Sequence, residues 1–339
     1  VTIDRFTGDP QSVVVDGQEF TIITEVFISP YLFGRGTRVY VVRDRHGLFH
    51  ILKDSWILST HPDSEIQHIK AISDAVQAAD LSTRLQILCP RFVAGEDSVD
   101  NTEEARDLAA GMAPARIRRR IITGPIGDPI TSFRSRVECL QALLDIVDQL
   151  KFLNENCGLV HGDVSMNNIV IVRFLPNILA ASPAFSLPAA ATQPLSQAVA
   201  IRPCTMNGLP FDVSSGGSII DFDYTRAKNV LTTKTSGTMP YMAVDLMNPA
   251  KPVAHRLIHD IESICYILLH LVRFTTGPAG TGDGKIANSH RVAVWHHEHN
   301  TEIIKDLKNG DIVAIIEEPN QYITNYWAPI TSHVIKLLK

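Results

Sequence analysis

Apolar and polar positions alternate in short runs along the first third of the chain. "QSVVVDGQEFTII" (11–23) is two such runs joined by Asp16-Gly17, a residue pair suited to a tight hairpin turn. "RVYVVRDRHGLFHILKDSW" (38–56) is a second pair of runs, turning at Gly47. "ARIRRRIITG" (115–124) reads as a further strand. Its alternation puts Arg116, Arg118 and Arg120 on one face, expected to be solvated, and Ile117, Arg119 and Ile121 on the other. Between these strands, "HPDSEIQHIKAISDAV" has the helical period, with Ser64 as N-cap and Ile66, Ile69 and Ile72 on one face. Residues 97–113 are polar and Ala-rich and read as a loop with a helical piece.

Past residue 135 the apolar period lengthens. "RVECLQALLDIVDQLKFLNENCG" spaces Leu140, Leu143, Leu144, Val147 and Leu150 by threes and fours, and Gly158 supplies a helix stop. "LIHDIESICYILLHLV" (257–272) is a second apolar helix. A β-rich part thus precedes an α-rich part. The expected fold is α+β in two lobes, 1–123 and 124–339, connected at about 122–128. Residues 174–217 break the rhythm: six prolines and eight alanines leave no clean period. This stretch is expected to be an irregular insertion that docks in places on the surface.

Composition narrows the picture slightly. The 339 residues carry a formal net charge of −5, so nothing global points to nucleic acid or to an acidic membrane surface. Cysteines at 89, 139, 157, 204 and 265 form no CxxC pair and no zinc spacing. An odd, scattered set suits a reducing compartment, so the expectation is an intracellular protein, cytoplasmic or nuclear. The apolar run "ICYILLHLV" is too short to cross a bilayer, and no membrane partner is expected. "VWHHEH" gathers His296, His297, Glu298 and His299 and reads as a polar surface loop rather than a metal site.

The chemistry concentrates in "LVHGDVSMNNIV" (159–170). His161, Asp163 and Asn168 stand between a helix and a strand at the spacing of the H-R-D-L-x-x-x-N catalytic loop, with Gly162 in place of Arg. Phosphoryl transfer needs a carboxylate near the acceptor hydroxyl and hard oxygen ligands for magnesium. A loop turning back between Asp163 and Asn168 can supply both. "SIIDFDYT" puts Asp221 after an apolar strand in a D-F-G pattern, with Asp223 in the glycine position. "SGTMPYMAVDL" resembles the end of an activation segment, with Val244 and Asp245 in place of Pro and Glu. Asp260 stands near the start of the second apolar helix. Upstream, "LFGRGTRVYVV" is a partial glycine-rich loop, in which Gly34 and Gly36 fit and Val39 replaces the third glycine. "HILK" ends on Lys53, and Glu65 opens the next helix.

These pieces occur in kinase order across roughly 230 residues. "LKDSW", "HGDVSMNN" and "IIDFDYT" together resemble the fungal-type protein kinase family, a likeness covering about residues 30–339. The resemblance implies a two-lobed kinase-like fold that binds ATP and Mg2+ and phosphorylates a protein on Ser or Thr. It implies that Gly34 and Gly36 cover the nucleotide, Lys53 holds its phosphates and Glu65 fixes Lys53. Asn168 and Asp221 would bind the metal, and Asp163 would act as base on the acceptor hydroxyl. His161 would pack under the loop and Asp260 would brace it. The activation segment would span 221–245. Gly162 cannot pair with a phosphate, so phosphorylation at Thr232, Thr233, Thr235, Ser236 or Thr238 is not expected to be required. Thr238 would instead be a structural hydroxyl near Asp163. Ser165 stands where Ser/Thr kinases usually carry Lys. Two alternatives remain: a pseudokinase acting as a binding or scaffold module, and a small-molecule kinase of the aminoglycoside or choline type.

Overall fold

The alternating runs of the first 124 residues become one seven-stranded antiparallel sheet. Its strands are β1 (Thr2–Ile3), β2 (Pro10–Val15), β3 (Gln18–Ile28), β4 (Arg38–Arg43), β5 (Phe49–Leu58), β6 (Arg91–Asn101) and β7 (Arg116–Gly124), in the order β1-β2-β3-β4-β5-β7-β6. In this computed structural model the described residues are 2–3, 10–30, 34–59, 64–80, 83, 87–102, 114–174, 203–206, 209–231, 237–248, 252–280, 294–296 and 298–339. The β2–β3 turn takes positive φ at both Asp16 and Gly17, as a two-residue hairpin demands. The sheet curls until β2 meets β6 and β7, and its concave face closes on Val13, Val15, Phe20, Tyr40, Leu52 and Ile122. Helix α1 (Glu65–Ala78) packs on β6 through Ile66, Ile69 and Ile72.

The sheet corrects two expectations. Residues 97–101, read as loop, belong to β6. The arginine row of β7 is not a free solvated face. Register sets Asp54 opposite Arg120, and Asp54 receives both Arg118 (2.8 and 2.5 Å) and Arg120 (3.3 Å). Arg119, on the other face and 4% exposed, is held at two points by Asp97 (2.7 and 2.9 Å).

The chain divides into two compact units. One is this β-rich unit, which runs to residue 126. The other is helical and takes residues 79–89 as well as everything described from 127 onward. The two-lobed α+β arrangement expected from the sequence is the one found. Residues 79–89 join the helical unit through Cys89, whose thiol lies 3.9 Å from the Gln149 carboxamide oxygen.

The helical unit is built on α2 (Arg136–Asn156), α3 (Leu257–Phe274) and α4 (Thr301–Glu317), followed by α5 (Pro319–Tyr322) and α6 (Thr331–Leu338). Ser135 caps α2 by accepting from the Glu138 amide, and Gly158 ends it at φ +67. The buried face of α2 is rotated from the one the leucines suggest. Leu144 is 52% exposed, while Asp145 and Gln149 are buried. The reason lies in a strand inside the stretch expected to be irregular. Pro203–Met206, inside 174–217, form β11, and Leu209–Ile219, which begins inside that stretch and runs two residues past its end, forms β12. With β8 (Asp128–Pro129) and β10 (Ile169–Phe174) they make a sheet in the order β11-β12-β10-β8. Gly217 donates its amide to Asp145 (2.9 Å), its carbonyl accepts from Gln149 (2.7 Å), and Ile219 donates to Gln149 (3.1 Å). Buried polar side chains persist only when so satisfied. The approach is close enough that a Cβ at Gly217 would lie 2.2 Å from the Ala142 carbonyl oxygen. The remainder of 174–217 lies outside the described residues.

Finally, β9 (Leu159–Val160) pairs with β13 (Arg226–Ala227). This ribbon and the β10–β12 pair bracket two loops, 161–168 and 220–225.

Candidate active site

The loop 161–168 leaves β9, turns through Met166–Asn168 and enters β10. Its first peptides are fixed from α3. Asp260, 1% exposed, accepts from the amides of His161 (2.8 Å) and Gly162 (3.2 Å). Burial alone would raise the Asp260 pKa. The hydrogen bond and charge of His255, 2.8 Å away, together with His161, outweigh burial and hold the carboxyl below its ordinary value. An ionised carboxylate therefore clamps the loop backbone. The sequence flagged Asp260 but not His255, since a lone His before a helix carries no signal of its partner.

His161 is fully buried against Phe222, ring to ring at 5.1 Å. Its Nε2–H donates to the Ile220 carbonyl (3.2 Å) and its Nδ1 accepts from the Asp163 amide (3.3 Å). One neutral tautomer satisfies both contacts. Burial pushes the imidazole below its ordinary pKa against the pull of Asp260, Asp163 and Asp221, consistent with that neutral form. His161 thus links the two loops as a packed, hydrogen-bonded post.

Asp163 follows. Its Oδ1 accepts from both the backbone amide and the hydroxyl of Thr238, each at 2.8 Å. Its Oδ2 lies 3.3 Å from Asn168 Nδ2, which also donates to the Asp163 carbonyl at 2.8 Å. With Nδ2 so engaged, Asn168 keeps its Oδ1 as the atom able to accept a cation. Ile220 donates to the Asn168 carbonyl at 2.9 Å, which brings Asp221 beside this loop. Asp221 takes φ +66, a strained conformation for a non-glycine residue and one that clusters at functional sites. The helical unit therefore assembles Asp163, Asn168 and Asp221 within two hydrogen-bonded loops. The segment 237–248 continues from Thr238 through the turn Met239–Tyr241, and Asp163, Val164, Thr238, Met242 and Leu246 line a small pocket there. Residues 232–236, which include four of the five hydroxyls considered for phosphorylation, lie outside the described residues.

Gly162 is confined by its surroundings. It takes φ +82, and a Cβ there would sit 2.5 Å from the Tyr224 carbonyl oxygen and 3.1 Å from Arg226 Nη2.

The β-rich unit holds the other residues singled out. Lys53 on β5 and Glu65 at the start of α1 meet in a two-point pair, Nζ lying 3.1 Å from each carboxylate oxygen. Glu65 is 2% exposed, so the pair is largely shielded from water. Gly34 and Gly36 lie before β4, both at positive φ, and Val39 pairs with Lys53 across β4 and β5. In "VWHHEH" the expected surface loop holds at Glu298 and His299, whose mutual contact is exposed, but not at the residues before them. Trp295 is buried, and His296 packs on Tyr241 and lies 3.0 Å from His270 Nδ1. His297 lies outside the described residues.

An α+β chain with these motifs in this order is a kinase, that is, a phosphotransferase. The fungal protein kinase family model matches residues 2–272, and the chain belongs to that family. A crystal structure of a kinase domain aligns over 97% of this chain and 92% of its own, at 11% identity and a TM-score of 0.45. No curated protein matches the chain. Among the described residues, no helix is long and apolar enough to cross a membrane.

Proposed function

We propose that the chain transfers the γ-phosphoryl group of ATP to a serine or threonine hydroxyl of a protein. The observation that carries this reading is the double contact of Thr238 with Asp163. It fastens the segment 237–248 to the candidate base, and a peptide laid along that segment would present its hydroxyl there. Asp163 orients the hydroxyl and takes its proton. The acceptor oxygen forms the new bond to γ-phosphorus while the bond to the β,γ-bridging oxygen breaks and ADP leaves. On this reading Lys53, paired with Glu65 at 3.1 Å, would hold the phosphates, and Gly34 and Gly36 would cover them. Asn168 and Asp221 fit magnesium by donor chemistry, a carboxamide oxygen and a carboxylate. When bound, the ion offsets phosphate charge. Magnesium-dependent ATP turnover with a Ser/Thr peptide library tests the reading. Nucleotide binding without turnover would mean a pseudokinase, and turnover only with small alcohols or aminoglycosides would mean a small-molecule kinase.

Two variants extend the test. Asp221→Ala is expected to weaken Mg-ATP binding at least ~10-fold, the scale of losses around metal sites, and to lower turnover as well. Wild-type affinity by titration calorimetry would remove Asp221 from the ligand set. Thr238→Val keeps the backbone contact to Asp163 but deletes the hydroxyl's. A hydrogen bond to a charged group contributes about 1.5–3 kcal/mol, so kcat should fall about 10- to 150-fold at saturating ATP. An unchanged kcat would make the hydroxyl dispensable.

A further inference from the structure

Lys308 is 0% exposed, near the middle of α4. A lysine is almost never fully buried without partners. Its Nζ lies 2.6 Å from the Met242 carbonyl oxygen and 3.4 Å from that of Met239. It also stands 3.9 Å from the centroid of the Tyr266 ring and 5.5 Å from that of Trp295, which are edge-to-face with one another. The cage is itself tied down. Tyr266 donates to Glu262 (2.6 Å), Glu262 also accepts from the Val244 amide (2.9 Å), and Trp295 donates to Asp311 (2.9 Å). One turn before Lys308, Ile304 packs in a cluster with Met242 and Met247. Every partner of the ammonium thus belongs to the segment 239–247 or to the elements beneath it.

That segment is the one that reaches Asp163. Thr238, whose amide and hydroxyl both go to Asp163, is joined to the turn Met239–Tyr241 that Lys308 caps. A cation at the carbonyl end of a short turn satisfies carbonyls that the turn itself leaves open. Aromatic faces supply further attraction to the desolvated charge. The Glu of a typical A-P-E is absent here, Asp245 standing in its place and exposed. Burial pushes the Lys308 ammonium down to about 7, with Glu262 acting the other way. Such a group is costly to keep in a core for stability alone.

We propose that Lys308 is a positioning residue, an internal strut from α4 that holds the Met239 and Met242 carbonyls and so sets Thr238 against Asp163. The inference rests on the proposed role of Asp163, but the placement of Thr238 can be read without any turnover.

The test compares wild type with Lys308→Met, which keeps length and apolar bulk but loses the charge, and Lys308→Gln, which keeps an N–H donor. Hydrogen exchange followed by mass spectrometry reads the amides of Thr238, Met239, Tyr241 and Met242, the N–H groups of 238–242. In Lys308→Met these should exchange at least ~10-fold faster than in wild type, while peptides from α2 stay protected, because the loss is local. Displacement of a reacting group by about 1 Å can cost 10²-fold, so kcat should fall ~10–100-fold with KM for ATP within about twofold. Lys308→Gln should fall between the two. Wild-type exchange at 238–242 in Lys308→Met would overturn the proposal, even if kcat fell. Loss of the fold in both variants would also overturn it, by assigning Lys308 to core stability. If wild type shows no turnover, the phosphotransfer reading fails, and the exchange result still decides whether Lys308 is the strut.

Discussion

Asp163→Asn is expected to abolish measurable phosphoryl transfer while leaving ATP affinity within about twofold. The substitution is close to isosteric, and the carboxamide oxygen can keep both Thr238 contacts to Oδ1 at their 2.8 Å separation. What it loses is basicity, together with the 3.3 Å contact that Oδ2 accepts from Asn168 Nδ2, while Asn168 keeps its stronger 2.8 Å bond to the residue-163 carbonyl. A carboxamide cannot take the acceptor's proton, and removal of a general base costs about 10²–10⁴-fold. The nucleotide-holding roles proposed for Lys53, Asn168 and Asp221 use other atoms, so binding should survive. Single-turnover phosphorylation with equilibrium ATP binding on the same sample separates the two effects. A variant with wild-type kcat would remove Asp163 from the chemistry, and one that neither turns over nor binds ATP would show instead that the loop had collapsed.

The loop 161–168 was legible because its geometry is local. His161, Asp163 and Asn168 lie within eight residues, so sequence spacing alone sets what one turn brings together. The same held for the Asp16-Gly17 hairpin and for the extents of α2 and α3. Features that depend on a distant partner were hidden. Asp145 and Gln149 are polar and four apart on a helix, which reads as a wet stripe until β12 arrives from 70 residues away to use them. Gly216 and Gly217 lower the strand propensity of β12, yet glycine is what lets that strand approach α2. The arginines of β7 looked solvated because Asp54, 64 residues earlier for Arg118, is assigned to them only by register. Lys308 sits in "KDLKNGD" among polar neighbours, and nothing there separates it from the half-buried lysine at 305. Its burial follows from aromatic rings on two other segments.

Gly162→Arg restores the residue that most protein kinases carry before the catalytic Asp, and here it is expected to damage the protein severely. Two penalties begin at Cβ. A left-handed backbone costs an L-residue about 1–2 kcal/mol, and Gly162 sits at φ +82. The added carbon would also lie 2.5 Å from the Tyr224 carbonyl oxygen, a backbone atom with no side-chain freedom to withdraw. Either the end of the DFD loop or the loop braced by Asp260 must move, and both positions bear on Asp163. A loss of about 3–5 kcal/mol in unfolding free energy is expected, in the range reserved for strain and overpacking, with kcat down at least ~10²-fold from misplacement. Gly162→Ala carries both penalties without the guanidinium, so urea unfolding of the alanine variant isolates them. A wild-type midpoint for Gly162→Ala would show that the loop has room. The same crowding bears on control. This fold has no place at 162 for an arginine that reads a phosphate on the activation segment, so phosphatase treatment of wild type is expected to leave kcat unchanged. A kcat that falls with dephosphorylation and recovers with rephosphorylation would mean that another cation, with Arg226 beside Gly162 the first to test, has taken that task.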